Sequence, residues 1–381
     1  MEPITRRTLL AAAGYAAAAR QAVAEGEKYP RNLTKEDVDR WMTELSNWGR
    51  WGKDDQAGTV NLITPATRKA AAALVRDGVS VSMALDADLP KEGPTGGPLP
   101  MMMGGPRGGG NPPAAVGAPA PSAPGVAGTP PAAGGQGGGA ANRNTWTLTS
   151  RPPGPEPRQL AGYVVDTIAV SYHGNNTTHL DAPSHLFYKG QIYNGFPQSS
   201  YTDRGAGKDD VMSMKDGILT RGMLFDMPKL KGVSYLGDDE PIYVEDLEAW
   251  EKKAGFRVGP GDAALVRTGR WVRVREKGSL DLNRATPGLY ASCVKWLRER
   301  GVSVLGSDVV QDVRPSRVEG VNQPIHQMAL MTLGLPLIDN ADLEAVSEAA
   351  AQRHRWTFLL TMNPLRVPGA TGGPVNPIAT F

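Results

Sequence analysis

His173-Gly174-Asn175-Asn176-Thr177-Thr178-His179-Leu180-Asp181-Ala182-Pro183-Ser184-His185 holds three of the chain's five histidines within thirteen residues. Imidazole together with carboxylate suits a divalent metal, and imidazole is also the natural proton shuttle near neutral pH. Only His326 and His354 lie elsewhere, so this segment is expected to carry the chemistry. If it runs extended, period-two geometry puts His179 and Asp181 on one face, where both could reach a single ion. Pro183 keeps Ala182 out of the helical region and stiffens the run. Two other readings stay open from the residues alone. Asp181 could orient His179 with no metal present, or the polar residues could decorate a loop after a strand.

Working outward, Ile168, Val170 and Tyr172 mark a strand over 163–172 that feeds the cluster directly. Further strands are expected at 79–85, 218–226, 262–268, 302–306 and 357–362, and helices at 244–254, 288–300, 325–333 and 341–354. Thr64-Pro65 predicts an N-cap and first helical residue, followed by an apolar stripe of Ala70, Ala73 and Leu74 that ends near Gly78. Asn340 is the expected N-cap of the last helix, with His354 at its C-terminus. Strand and helix alternate regularly only after about residue 240. The pattern therefore predicts α/β or α+β without requiring a doubly wound sheet.

Two stretches are set apart by composition. Residues 89–143 hold 16 of the 46 glycines and 12 of the 32 prolines. Such a segment buries too little apolar surface to order itself, and it reads as a surface insert in a single domain over 30–381. At the start, Thr5-Arg6-Arg7-Thr8-Leu9-Leu10, a short apolar stretch to Ala19 and Ala22-Val23-Ala24 resemble a twin-arginine export signal over 1–24. That predicts a periplasmic or secreted protein with no membrane attachment once the signal is removed.

Lysine plus arginine exceed aspartate plus glutamate by only 41 − 39 = 2, so nucleic acid is not an expected partner. A lone cysteine, Cys293, excludes an intramolecular disulfide and reads as a small core residue. There is no G-x-S-x-G elbow for a serine hydrolase. Gly104 to Gly110 follow no buried strand, which argues against a phosphate loop.

The run His179-x-Asp181-x-Pro183-x-His185 is similar to the tail of the motif His-x-Gly-Thr-His-x-Asp-x-Pro-x-His. That motif marks the cyclase family of metal-dependent hydrolases, which includes kynurenine formamidases and isatin hydrolases. Trp51-Gly52-x-Asp54-Asp55-x-x-Gly58 with Asn61, Gly190 with Tyr193-Asn194-Gly195, Gly261-Asp262 with Arg267-Thr268-Gly269, and Gly306-Ser307-Asp308 also resemble family segments. The resemblance spans 40–85 and 144–381. It implies an α/β fold of the swivelling β/β/α type, with a mixed sheet and flanking helices. It further implies His179 and Asp181 as metal ligands, His185 as catalytic acid/base, and His326 and Asp339 completing the site, His326 on either metal or substrate. The family's first motif histidine is Asn175 here and its glycine is Thr177. His173 could replace that ligand if the loop bulges between Gly174 and Thr178; otherwise the site would be mononuclear.

These features predict an exported hydrolase with one divalent ion, zinc or manganese, cleaving an amide, lactam or ester of a small aromatic or cyclic molecule. Trp48, Trp51, Phe187, Tyr188, Tyr193 and Phe196 are candidates for an apolar wall around such a substrate. The resemblance also implies a homodimer or larger assembly. The competing reading is a non-catalytic protein that binds a small ligand or metal in the same pocket.

Overall fold

The computed structural model describes residues 28–86, 145–151 and 163–381; the export signal expected over 1–24 and the insert expected over 89–143 lie outside them. Two units divide the chain, one of Met1–Ala87 with Tyr172–Phe381 and the other of Asp88–Ser171. In the second unit, strands β2 (Thr145–Arg151) and β3 (Tyr163–Ala169) pair antiparallel, with Thr145 opposite Ala169. The strand expected over 163–172 thus ends at Ala169, and Tyr172 reopens the first unit.

The first unit is built on a nine-stranded sheet. Its strands are β1 (Ser80–Ser82), β4 (His179–Asp181), β5 (Ile218–Asp226), β6 (Ala263–Arg267), β7 (Val304–Ser307), β8 (Leu337–Asp339), β9 (Thr357–Met362), β10 (Gly372–Pro374) and β11 (Ile378–Thr380). They run in the order β1-β11-β9-β5-β6-β7-β8-β4-β10. Strands β5 to β8 pair in parallel, and every other pairing is antiparallel. A mixed sheet follows, as expected, and the central strands explain it. Ala263-Ala264-Leu265-Val266-Arg267 is buried throughout, the continuous run that a strand covered on both faces requires.

The covering helices are α1 (Lys35–Glu44), α2 (Pro65–Ala72), α3 (Met227–Lys231), α4 (Val244–Ala254), α5 (Arg270–Lys277), α6 (Cys293–Arg300), α7 (Pro324–His326, continued as a π-helical turn Gln327–Leu333) and α8 (Glu344–Gln352). Alternation along the strands sorts the core into two layers. Met223, Phe225, Ala264, Val266, Leu305 and Leu337 pack with Trp250 of α4, Trp296 of α6 and Met328 and Leu330 of the π turn. Leu180, Leu224, Leu265, Val304 and Ile338 pack on the other face with Val346, Ala349 and Ala350 of α8. Burying a side chain of this size contributes roughly 1.5–3 kcal/mol, which is why both faces are closed.

Local chemistry sets the boundaries. Thr34 with Asp37, and Thr64 with Thr67, form capping boxes at α1 and α2. Helix α2 buries Ala71, whereas Ala70 and Ala73 of the expected stripe are exposed. Residues 288–289 form a short strand, so α6 starts at Cys293. Asn340 does not cap α8. It takes φ 55°, spends its side chain on the Gly174 and Thr177 carbonyls, and leaves the helix to start at Glu344. Among the described residues no helix is long and apolar enough to cross a membrane.

Candidate metal centre and active site

Strands β4 and β8 pair with His179 opposite Asp339, Leu180 opposite Ile338 and Asp181 opposite Leu337. Directly opposed residues share a face of an antiparallel pair, so His179, Asp181 and Asp339 project together. The intervening Leu180 and Ile338 point into the second core layer and fix the register. A slip of one residue would turn the histidine and carboxylates into that apolar layer and put leucine at the centre.

The centre gathers all six residues expected from the sequence. His173 Nδ1 lies 2.9 Å from Asp181 Oδ1, and His179 Nε2 lies 3.5 Å from the same oxygen. His185 Nε2 and His326 Nε2 approach Asp181 Oδ2 at 3.8 and 3.9 Å, and His326 Nε2 is 3.3 Å from Asp339 Oδ2. The rings of His173 and His185 stack, with centroids 3.9 Å apart and an interplanar angle of 18°. Among the described residues two groups have ligand atoms within 4.8 Å of one another: His173, His179 and Asp181, and Asp181, His326 and Asp339.

His173 reaches the centre because the loop bulges between Gly174 and Thr178. Asn340 Nδ2 donates to the Gly174 and Thr177 carbonyls at 2.6 and 3.2 Å, and Arg270 donates to the Asn175 carbonyl at 2.6 Å. Arg270 also bonds Asn340 Oδ1 at 2.6 Å, which locks the two clamps together. Thr371 Oγ1 lies 3.0 Å from His173 Nε2, which turns Nδ1 toward Asp181. At His179 the Thr177 carbonyl sits 2.8 Å from Nδ1, leaving Nε2 for the centre.

Asp312 is the residue that spacing did not disclose. Its Oδ2 lies 2.6 Å from His326 Nδ1, and its carboxylate accepts the backbone amides of Ile325 and His326. A carboxylate on Nδ1 orients a ligating imidazole through its second nitrogen. Gln311, held at φ 58°, donates to Asp339 Oδ1 at 3.1 Å and fixes that side chain too. Neither residue could be found from the sequence. An acid fourteen residues before a histidine follows no periodicity, and a left-handed glutamine leaves no compositional mark.

Electrostatics separates the histidines. Burial, joined by the coulombic influence of His173, His326 and His179, lowers His185 to about 4 against the opposing pull of Asp181. It is therefore neutral near pH 7. At His326 burial also acts to lower the pKa, but Asp339 and Asp312 outweigh it and raise it to about 10. Burial disfavours the charged Asp181, yet the imidazoles of His185, His179 and His173 outweigh it and hold the carboxyl far below the usual range.

A divalent cation fits these residues. Asp181 is 1% exposed, and among the described residues neither of its oxygens has a hydrogen-bond donor in bonding geometry, His173 included. A buried carboxylate left this way is costly unless a cation joins it. Imidazole and carboxylate without thiolate match zinc or manganese equally.

The six aromatic candidates divide. Trp48 and Tyr188, with Met42 and Met331, line a cavity of about 240 Å³ beside α1. Tyr193 is buried with its hydroxyl on Asp55, Trp51 lies under Arg50, and Phe196 lies under Lys208. Phe187 is 40% exposed and meets Tyr201 edge-on.

A mixed α/β sheet with a histidine–carboxylate centre on two short antiparallel strands defines the class of protein. The profile of a family described as "Putative cyclase" matches residues 99–311, more than half of the chain. The protein belongs to the cyclase family. A solved structure described as a novel cyclase is 27% identical, with a TM-score of 0.68 over 89% of this chain and 99% of its own. Isatin hydrolase A from Ralstonia solanacearum is 19% identical, with a TM-score of 0.44 over 62% of this chain and 81% of its own. Isatin hydrolase A from Labrenzia aggregata, bound to benzyl benzoate, is 17% identical, with a TM-score of 0.46 over 82% and 96%. No curated protein matches the chain in sequence.

Proposed function

We propose that the protein is a metal-dependent hydrolase that cleaves a C–N or ester bond of a small cyclic or aromatic substrate. The observation that carries this reading is Asp181, buried and without a hydrogen-bond donor amid four imidazoles, one of them uncommitted. His173, His179, Asp181, His326 and Asp339 would hold the ion, with Asp181 common to both ligand groups. When bound, a divalent cation acidifies water and polarises a carbonyl oxygen.

The remaining work falls to the chain's own residues. His185 Nε2 is 3.8 Å from Asp181, beyond hydrogen-bond reach, so its lone pair is free to accept a proton. As water attacks the carbonyl carbon, His185 takes the water proton. The same proton then goes to the leaving nitrogen or oxygen as the bond to it breaks, giving a carboxylic acid and an amine or alcohol. Asp312 keeps His326 from turning away from the centre.

Export through residues 1–24, a periplasmic or secreted location and a homodimer belong to the same proposal. They rest on the sequence of the signal and on the family resemblance. The deciding experiment is elemental analysis of purified protein together with hydrolysis of N-formylkynurenine and isatin, with and without chelator. About one equivalent of zinc or manganese, or two if both ligand groups fill, with chelator-sensitive turnover supports the hydrolase. Bound metal without turnover of any amide, lactam or ester offered would make the protein a binder instead.

A further inference from the structure

Two carboxylates of the described residues are buried with neither oxygen hydrogen-bonded. One is Asp181 of the metal centre. The other is Asp209, fully buried, which takes no part in the chemistry above. Its backbone is pinned in the left-handed region at φ 56°, an uncommon conformation for aspartate. The amide donates to Gln56 Oε1 at 2.9 Å, and the carbonyl accepts from Ser184 at 3.1 Å. The Ser184 hydroxyl is itself fully buried without a partner. So the main chain of Asp209 is satisfied on both sides, while its carboxylate and the hydroxyl of the residue bonded to its carbonyl are not.

We infer that Asp209 and Ser184 form a second cation site, distinct from the histidine centre, that takes a monovalent alkali ion. The donor chemistry selects the ion. The residues hydrogen-bonded to the Asp209 main chain bring oxygen, which favours hard cations. Gln56 follows Asp55, whose carboxylate accepts the Tyr193 hydroxyl, and Ser184 carries its own hydroxyl with the Tyr201 hydroxyl on its carbonyl. The charge to be matched is single. Asp55 already accepts from the Ala57 and Gly58 amides, Asn61 Nδ2 and Tyr193 Oη. Lys208, the neighbouring base, places its ammonium over the Phe196 ring and makes no ion pair with Asp209.

With no cation, burial and the Asp55 charge, reinforced by Asp210 and opposed by Lys208, push the Asp209 carboxyl up to about 8. Ion and proton therefore compete, and ion affinity rises with pH through that value. The site is coupled to the Pro183–His185 turn. Asp209 holds the Ser184 amide and Tyr201 hydrogen-bonds the Ser184 carbonyl, so a bound ion stiffens the segment that carries His185.

The test is thermal unfolding of the full chain at constant ionic strength in NaCl, KCl or choline chloride at pH 8. The expected result is a saturable rise of a few degrees in the midpoint with Na+ or K+, absent in choline. The rise should vanish in Asp209→Asn and persist in His179→Ala, which separates it from the histidine centre and from the hydrolase reading. Equal midpoints in all three salts, or a rise that survives in Asp209→Asn, overturn the proposal. Should Asp209→Asn not fold, anomalous scattering from wild-type crystals soaked in Rb+ decides. A peak beside the Asp209 carboxylate supports the site, and its absence there removes it.

Discussion

His185 differs from its neighbours in what it does not touch. His173 is tied to Thr371, His179 to the Thr177 carbonyl and His326 to Asp312, whereas His185 only stacks on His173 and stands 3.8 Å from Asp181. A ligand needs orienting; a proton shuttle needs a free lone pair. His185→Ala is therefore expected to lower kcat by about 10²–10⁴ while metal content and the unfolding midpoint stay near wild type. Near-native turnover would remove the shuttle role. Burial and the surrounding imidazoles lower this histidine's pKa, and a cation in the centre pushes it the same way. The proposed base is expected to stay neutral below pH 6.5, so the acid limb of kcat/KM, measured on wild type, should fall well under that of an unperturbed imidazole.

At the scale of elements, the centre depends on how closely β10 approaches β4. A Cβ on Gly372 would lie 2.1 Å from the Leu180 carbonyl oxygen and 3.2 Å from His173 Cε1. The neighbouring Gly373 has nothing within 4 Å of such an atom. Gly372→Ala should thus cost about 1–3 kcal/mol and displace His173, whereas Gly373→Ala serves as a matched control with little change. Equal midpoints for the two variants in thermal denaturation would show that β10 yields freely. This pair also shows where sequence reading stops. The strands at 218–226, 263–267 and 357–362 and the helix at 244–254 were legible because long apolar runs and clear periodicity announce them. Strands of three residues such as Leu337–Asp339 and Gly372–Pro374 carry too few positions for a period, and they are stabilised by pairing partners far away in the chain. The four centre residues of 173–185 were legible as types and spacings, whereas His326 and Asp339 came only through the family resemblance. The clamp that delivers His173, made by Asn340 and Arg270, was not legible, because Asn340 reads as an ordinary helix cap and no pattern in the sequence marks Arg270.

For the whole molecule, the ligand atoms come from loop 173–178, from β4, from α7 and from β8, segments that only the folded chain brings together. An ion bound there binds the native state and has no comparable site in the unfolded chain, so its binding energy adds to stability. At a free metal concentration one hundred times Kd the gain is about 2.7 kcal/mol. Chelator should lower the unfolding midpoint of wild type and added zinc or manganese should restore it, whereas Asp181→Asn should respond to neither. A chelator effect of full size in Asp181→Asn would mean that the stabilising ion sits away from the histidines. The alkali effect assigned to Asp209 must behave oppositely in the same assay, surviving both the chelator and Asp181→Asn, because these two buried carboxylates call for cations of different chemistry.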